Sequence, residues 1–229
     1  MTLIVACLYF IIGAYVRRQQ PSRSESLEKR RLALLLVLVL AVSAIKLSED
    51  VLGGESGPID KALLLFIHEH IPISLTGFFK TVTLSGSSWF MFPLSVAVTL
   101  TLLWSKHRFE ALLIAAAVTS AAILVFLLKM LVGRARPALW DTTWYWGSSF
   151  PSGHTLVVAA FATAAALCVI RIRPAARNLA LALAIVWITL VALSRLVLGV
   201  HWPTDVLVAA CIGAFLPLAM SVVLALRQH

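Results

Sequence analysis

Seven ionisable side chains stand where an apolar sequence should not hold them. Lys129, Arg134, Arg136 and Arg195 sit in or beside the ends of apolar runs, and so do His154, His201 and Asp205. Charge in such places is expensive unless it lines a cavity and has partners. Three or four cations closing on one point repel each other unless an anion lies between them. Phosphate is the natural anion, because guanidinium groups grip its oxygens in pairs and lysine adds a point charge. The run Pro151-Ser152-Gly153-His154 supports the same chemistry independently. Pro presets a first helical turn, Gly lets the backbone come close, and the free N–H groups of a helix start bind anions. Alone, any one of these cations, Arg134 included, reads as an anchor that snorkels to the membrane surface. The set does not.

Composition says which elements must bring them together. Of 229 residues, 61% are hydrophobic and 13% charged, about half the charge of a soluble domain. A water-soluble domain, a disordered chain, a collagen-like repeat and a coiled coil are all excluded. The remaining class is an all-α, polytopic membrane bundle. Apolar runs cover 2–16, 32–47, 82–104, 109–128, 154–170, 178–198 and 204–226, against the roughly 20 residues a span needs. Six runs are expected to cross. The 2–16 run is expected to span as an extra helix, with an interfacial or externally packed helix as alternatives. The expected division is residues 1–29, an apolar helix with a basic linker, and 30–229, the membrane domain. Positive charge follows the 2–16 run rather than preceding it, unlike a cleaved signal peptide.

Charge sorts the two faces. Arg17, Arg18, Arg23, Lys29, Arg30, Arg31, Lys106, Arg108, Arg171, Arg173, Arg177 and Arg227 share one side, which excess positive charge marks as cytoplasmic. The net charge of +9 therefore records topology, and no nucleic-acid partner is expected. The seven residues of the opening all fall on the other face, brought there from three distant segments. Two longer connections, 48–81 and 129–153, lie on that outer side. In the first, Ile59, Leu63, Phe66 and Ile67 could form one face of a surface helix. His68 and His70 would point apart, which disfavours a metal pair. In the second, Trp140, Trp144, Tyr145 and Trp146 read as an aromatic belt, or as cover for a lipid's access path. Ser85, Gly86, Ser87 and Ser88 suggest a helix start or a close-packed surface. Pro93 and Pro217 are expected to bend their helices. Cys7, Cys168 and Cys211 have neither zinc nor disulfide spacing.

Three stretches carry a resemblance. Lys129-Met-Leu-Val-Gly-Arg-Ala-Arg136-Pro137, then Pro151-Ser152-Gly153-His154, then Ser194-Arg195 with His201 and Asp205, together resemble the three-part signature of the type 2 phosphatidic acid phosphatase superfamily. The resemblance covers about residue 30 to 226 and implies a six-helix core. It also implies roles. His201 would be the nucleophile that forms a phosphohistidine, and Asp205 would orient it. His154 would be general acid and then general base. Lys129, Arg136 and Arg195 would hold the phosphoryl oxygens, with Ser152 and the Gly153 N–H as further donors. No metal or other cofactor is expected, since cations already supply the electrostatics.

The implied activity is metal-independent hydrolysis of a membrane lipid phosphate or diphosphate. Phosphatidic acid, phosphatidylglycerol phosphate and undecaprenyl diphosphate are the substrates in view, the last slightly ahead. The implied setting is a bacterial inner membrane with the site facing the periplasm or exterior. The expected partners are that lipid and the bilayer, with no obligate protein partner. Two alternatives remain: a lipid phosphotransferase using the same intermediate, and a non-enzymatic lipid-phosphate binder.

Overall fold

Membrane hydrocarbon offers the backbone no hydrogen-bond partner, so long apolar runs close into helices. Polar and Pro- or Gly-rich punctuation sets their ends. The computed structural model describes residues 2–19, 31–140, 142 and 147–227. Its helices are α1 (Thr2–Gln19), α2 (Arg31–Leu52), α3 (Gly57–His70), α4 (Thr76–Leu84), α5 (Ser88–Trp104), α6 (Arg108–Val132), α7 (Gly153–Ile172), α8 (Arg177–Val197) and α9 (Pro203–Arg227). Short 3-10 turns, Ile73–Leu75 and Pro174–Ala176, lead into α4 and α8. No strand occurs among the described residues. The chain is an all-α membrane bundle.

Five helices, α2 and α6 to α9, are long and apolar enough to cross a bilayer. A sixth candidate is α3 with the 73–84 segment, a pair bent by 94°. This differs from the expected six single runs at one place. The 82–104 run is divided, because Val82–Leu84 close α4 and Ser85–Ser87 make a turn. Ser87 caps α5, its Oγ accepting the Phe90 N–H at 3.3 Å. What remains, α5, carries Trp89 and Trp104 at its two ends, 93% and 90% exposed. They stand roughly 22 Å apart along the axis, as paired interfacial anchors do.

The 2–16 run forms α1, an 18-residue helix about 27 Å long. It packs along α2, where Val5, Leu34 and Leu38 are buried with Tyr9 and Ile12 against them. The basic linker with Arg23, Lys29 and Arg30, the acid Asp141 and the aromatic group Trp144, Tyr145 and Trp146 lie outside the described residues.

At the centre stands α7, packed against α6, α8 and α9, while α9 also covers α2. Small residues allow the close approach. Ala121, Ala159, Ala160 and Ala209 are wholly buried. At one end of the bundle, Glu110 of α6 meets Arg171 of α7 at 3.0 Å. At the other end, the last turn of α6 and the first of α7 meet the connection from α8 to α9. There α3 lies with Ile59, Leu63 and Phe66 exposed and Asp60 and Leu64 buried. The apolar face read from the sequence thus looks away from the protein, as an interfacial helix requires.

Candidate active site

Three local structures aim side chains at one point. α6 ends beyond Lys129 and continues as an irregular segment carrying Arg134 and Arg136. Pro151 and Ser152 start α7 at Gly153, which puts His154 in its first turn. The chain leaves α8 after Arg195, turns at Gly199 and enters α9 at Pro203. Gly199 has φ +64°, and a Cβ there would lie 2.7 Å from the Trp140 ring. Only glycine fits both demands. That turn delivers His201 just ahead of α9 and Asp205 within its first turn, four residues on.

The result is a cavity of about 310 Å³ lined by Lys129, Arg136, His154, Arg195 and His201, together with Gly86, Ser88 and Gly153. Three cations and two imidazoles from distant segments face one another, and no carboxylate is among the lining residues. The chemistry this favours is binding of a multiply charged anion. Below them the wall is apolar, formed by Met91, Ala122, Val125 and Val157. Val125 and Ala122 lie one and two turns deeper in α6 than Lys129, Val157 lies about a turn deeper in α7 than His154, and Met91 is about a turn into α5, so the cavity runs from a polar head to an apolar base.

The cations are held in place. Lys129 Nζ donates to the Ser148 carbonyl at 2.6 Å. Arg136 Nη1 donates to the Val200 carbonyl at 2.7 Å and stands 3.4 Å from His201 Nε2. Arg195 is 1% exposed, and its Nη1 donates to Thr83 Oγ1 on α4 at 2.5 Å. The packing of His154 is set by Gly86: a Cβ there would sit 2.9 Å from Val191 Cγ1 and 3.2 Å from His154 Cβ.

His201 is 2% exposed. Burial is the main force on its pKa, which falls to about 4, with Arg195 and Arg136 acting the same way against the pull of Asp205. The imidazole is therefore neutral at physiological pH, as a nucleophile must be. Its Nδ1 lies 3.6 Å from Asp205 Oδ2, beyond hydrogen-bond length yet close enough for a charge to be felt.

Two expected residues are placed differently. Ser152 does not line the cavity: it is wholly buried, its Oγ 3.0 Å from Thr155 Oγ1. Its N–H donates to the Asp205 carbonyl at 3.2 Å, so it ties the start of α7 to α9 instead of offering a donor to phosphate. Arg134 neither snorkels nor joins the cationic wall. Its Nη1 binds Asp205 Oδ1 at 2.6 Å and its Nη2 binds Asp60 Oδ2 at 2.7 Å. Asp60 and Thr83 join the site from outside the signature stretches. Asp60 carried a signal, an acid on a helix whose outward face was already apolar. Thr83 carried none, since a threonine at a helix end has many uses.

Comparison with known proteins follows the same lines. The model of the PAP2 superfamily matches residues 110–228. Phosphatidylglycerophosphatase B of Escherichia coli (strain K12) is 46% identical over 67 residues, covering 29% of this chain and 25% of that protein. The chain thus spans about a quarter of that relative's length. The lipid A 1-phosphatase of Rhizobium johnstonii is 29% identical over 174 residues, 69% of this chain and 68% of the relative. Among solved structures, the transmembrane PAP2-type phosphatidylglycerolphosphate phosphatase of Bacillus subtilis superposes with TM-score 0.68. That alignment has 24% identity and covers 83% of this chain and 93% of that one. At that identity the likeness shows the fold.

Proposed function

The chain belongs to the PAP2 superfamily, and from that premise we propose that it is a multi-pass membrane lipid phosphatase. The observation that carries this reading is the single cavity in which Lys129, Arg136 and Arg195 surround His154 and His201 above an apolar base. A phosphate on a lipid satisfies both halves of that cavity. A free phosphorylated metabolite satisfies only the upper one.

In the proposed reaction His201 Nε2 attacks phosphorus while Asp205, on the Nδ1 side, favours the imidazolium that develops. The N–P bond forms as the P–O bond to the lipid breaks, and His154 gives a proton to the departing oxygen. Water then attacks the phosphohistidine as His154 takes its proton, the N–P bond breaks, and phosphate leaves. Lys129, Arg136 and Arg195 hold the three peripheral oxygens throughout. The Gly153 N–H at the start of α7 is the further donor proposed. Ser152 is left out of that set, since its hydroxyl and N–H are engaged elsewhere.

For the substrate, we place undecaprenyl diphosphate first, with phosphatidylglycerol phosphate, the substrate in the names of relatives, as the nearest rival. An inner membrane with the cavity at its periplasmic face fits the basic residues at the opposite end of the bundle. The test is phosphate release by detergent-purified protein from undecaprenyl diphosphate, phosphatidylglycerol phosphate, phosphatidic acid and a short soluble phosphomonoester. Fast release from a lipid and slow release from the soluble ester are expected, with undecaprenyl diphosphate fastest. Equal rates on the soluble ester would contradict the lipid assignment, and a different lipid order would replace the substrate. Transfer of the phosphoryl group to an added lipid alcohol, in place of release, would make the chain a phosphotransferase.

A further inference from the structure

One buried carboxylate has no part in the proposed reaction and yet is built into the back of the site. Asp60 of α3 is 1% exposed. Its Oδ1 accepts the Thr204 N–H at 2.9 Å, and its Oδ2 accepts Thr204 Oγ1 at 2.6 Å and Arg134 Nη2 at 2.7 Å. The same guanidinium binds Asp205 Oδ1 at 2.6 Å through Nη1, which also donates to Thr204 Oγ1 at 2.9 Å. Asp205 Oδ2 accepts the Trp202 N–H at 2.9 Å and lies 3.6 Å from His201 Nδ1. One arginine is therefore shared by two carboxylates, and Asp60 also grips the first turn of α9.

We propose that Asp60 is a positioning residue for the His201–Asp205 pair, acting through Arg134 and Thr204. With Arg134 alone, Asp205 would form a closed, neutral ion pair and have little charge to offer. Asp60 divides the guanidinium between two carboxylates, so the cluster keeps one net negative charge beside a neutral His201. When His201 gains positive charge on phosphorylation, the cluster becomes neutral. That is differential stabilisation of the reacting state, in a buried site where charge counts most. The grip on Thr204 fixes the turn that carries Asp205, so the distance to His201 is set from α3. The proposal rests on the reading of His201 as nucleophile.

The test is a cycle on the full-length protein with the best lipid substrate, measuring kcat and KM for Asp60→Asn, Arg134→Gln and the double variant. Asp60→Asn keeps the shape and removes the charge. Its kcat is expected to fall roughly 10- to 100-fold with KM within about 3-fold, since the cations facing phosphate are untouched. The double variant restores the net charge beside His201 and removes both members of a buried pair. Its kcat is expected to exceed that of either single variant. A purely structural role would lower the yield or thermal stability of Asp60→Asn without this compensation in kcat. Asp60→Asn turnover within 2-fold of wild type, or a double variant no faster than both singles, would overturn the proposal. If Asp60→Asn does not accumulate, the double variant against Arg134→Gln decides in the same way. His201→Asn is run alongside. If it remains active the nucleophile is misassigned; if it is inactive while Asp60→Asn is fast, only the positioning role fails.

Discussion

A single methyl group at Gly86 should slow the reaction without touching a charged residue. The turn carrying Gly86 cannot retreat. Ser85 Oγ accepts the Trp187 Nε1–H at 2.9 Å from α8, and Ser87 caps α5. In Gly86→Ala the new Cβ would lie 2.9 Å from Val191 Cγ1, 3.2 Å from His154 Cβ and 3.3 Å from His154 Cδ2. Carbon atoms prefer roughly 3.5–4.0 Å, so the overlap is roughly 0.6–1.1 Å against Val191 and roughly 0.2–0.8 Å against His154. Val191 is wholly buried in the main core cluster, which leaves it little room. The His154 ring borders the cavity and can move into it. A shift of roughly half an ångström or more in the proposed proton donor should cost about 10- to 100-fold in kcat. Overpacking should also cost about 1–3 kcal/mol of stability. Steady-state phosphate release with purified Gly86→Ala measures the first, and thermal denaturation in the same detergent the second. Val191→Ala in that background removes the tighter contact and should return most of the stability. A kcat within 2-fold of wild type, where His154→Ala is inactive, would refute the link between this packing and His154.

Three more outcomes follow from particular contacts. Glu110→Gln breaks the 3.0 Å pair with Arg171 at the far end of the bundle. Because Arg171 is half-exposed, the cost should be about 1–2 kcal/mol in thermal stability, with kcat unchanged at low temperature. His201, with a folded-state pKa of about 4 against about 6.5 unfolded, is neutral in both states above pH 7. Below pH 6.5 the unfolded chain binds the extra proton, so stability should fall as pH drops from 6.5 towards 4. His201→Asn should flatten that part of the melting-temperature profile. Ser148→Cys in a Cys7→Ser background should react with an impermeant thiol reagent added outside intact cells. Labelling only from the inner side would reverse the proposed orientation.

Charge in an apolar sequence is conspicuous, which is why Lys129, Arg136, His154, Arg195 and His201 are legible as a group in the sequence alone. Each lies at a helix end where hydrophobicity alone would not put it, and topology sends them all to one face. Arg134 satisfies the same criterion and belongs behind the cavity, because spacing along the chain does not tell which way a residue in an irregular segment points. Ser152 sat in the right motif, but its hydroxyl is taken by Thr155 and its N–H by Asp205. Asp60 offers only a faint signal, an acid opposite an apolar helix face: in a polar outer connection it looks solvated, and contact with Arg134 and Thr204 shows it buried. Counting apolar residues placed the five long spans well. It failed at 82–104, where Ser85-Gly86-Ser87 breaks the backbone inside an apolar run.

In the proposed reaction His201 carries the phosphoryl group. The direct measurement is rapid chemical quench with lipid labelled in its terminal phosphate, followed by peptide mapping. An acid-labile, alkali-stable label on the peptide containing His201, formed and lost at rates compatible with kcat and absent from His201→Asn, is the expected result. Label on any other residue, or phosphate release by His201→Asn at the wild-type rate, would contradict it.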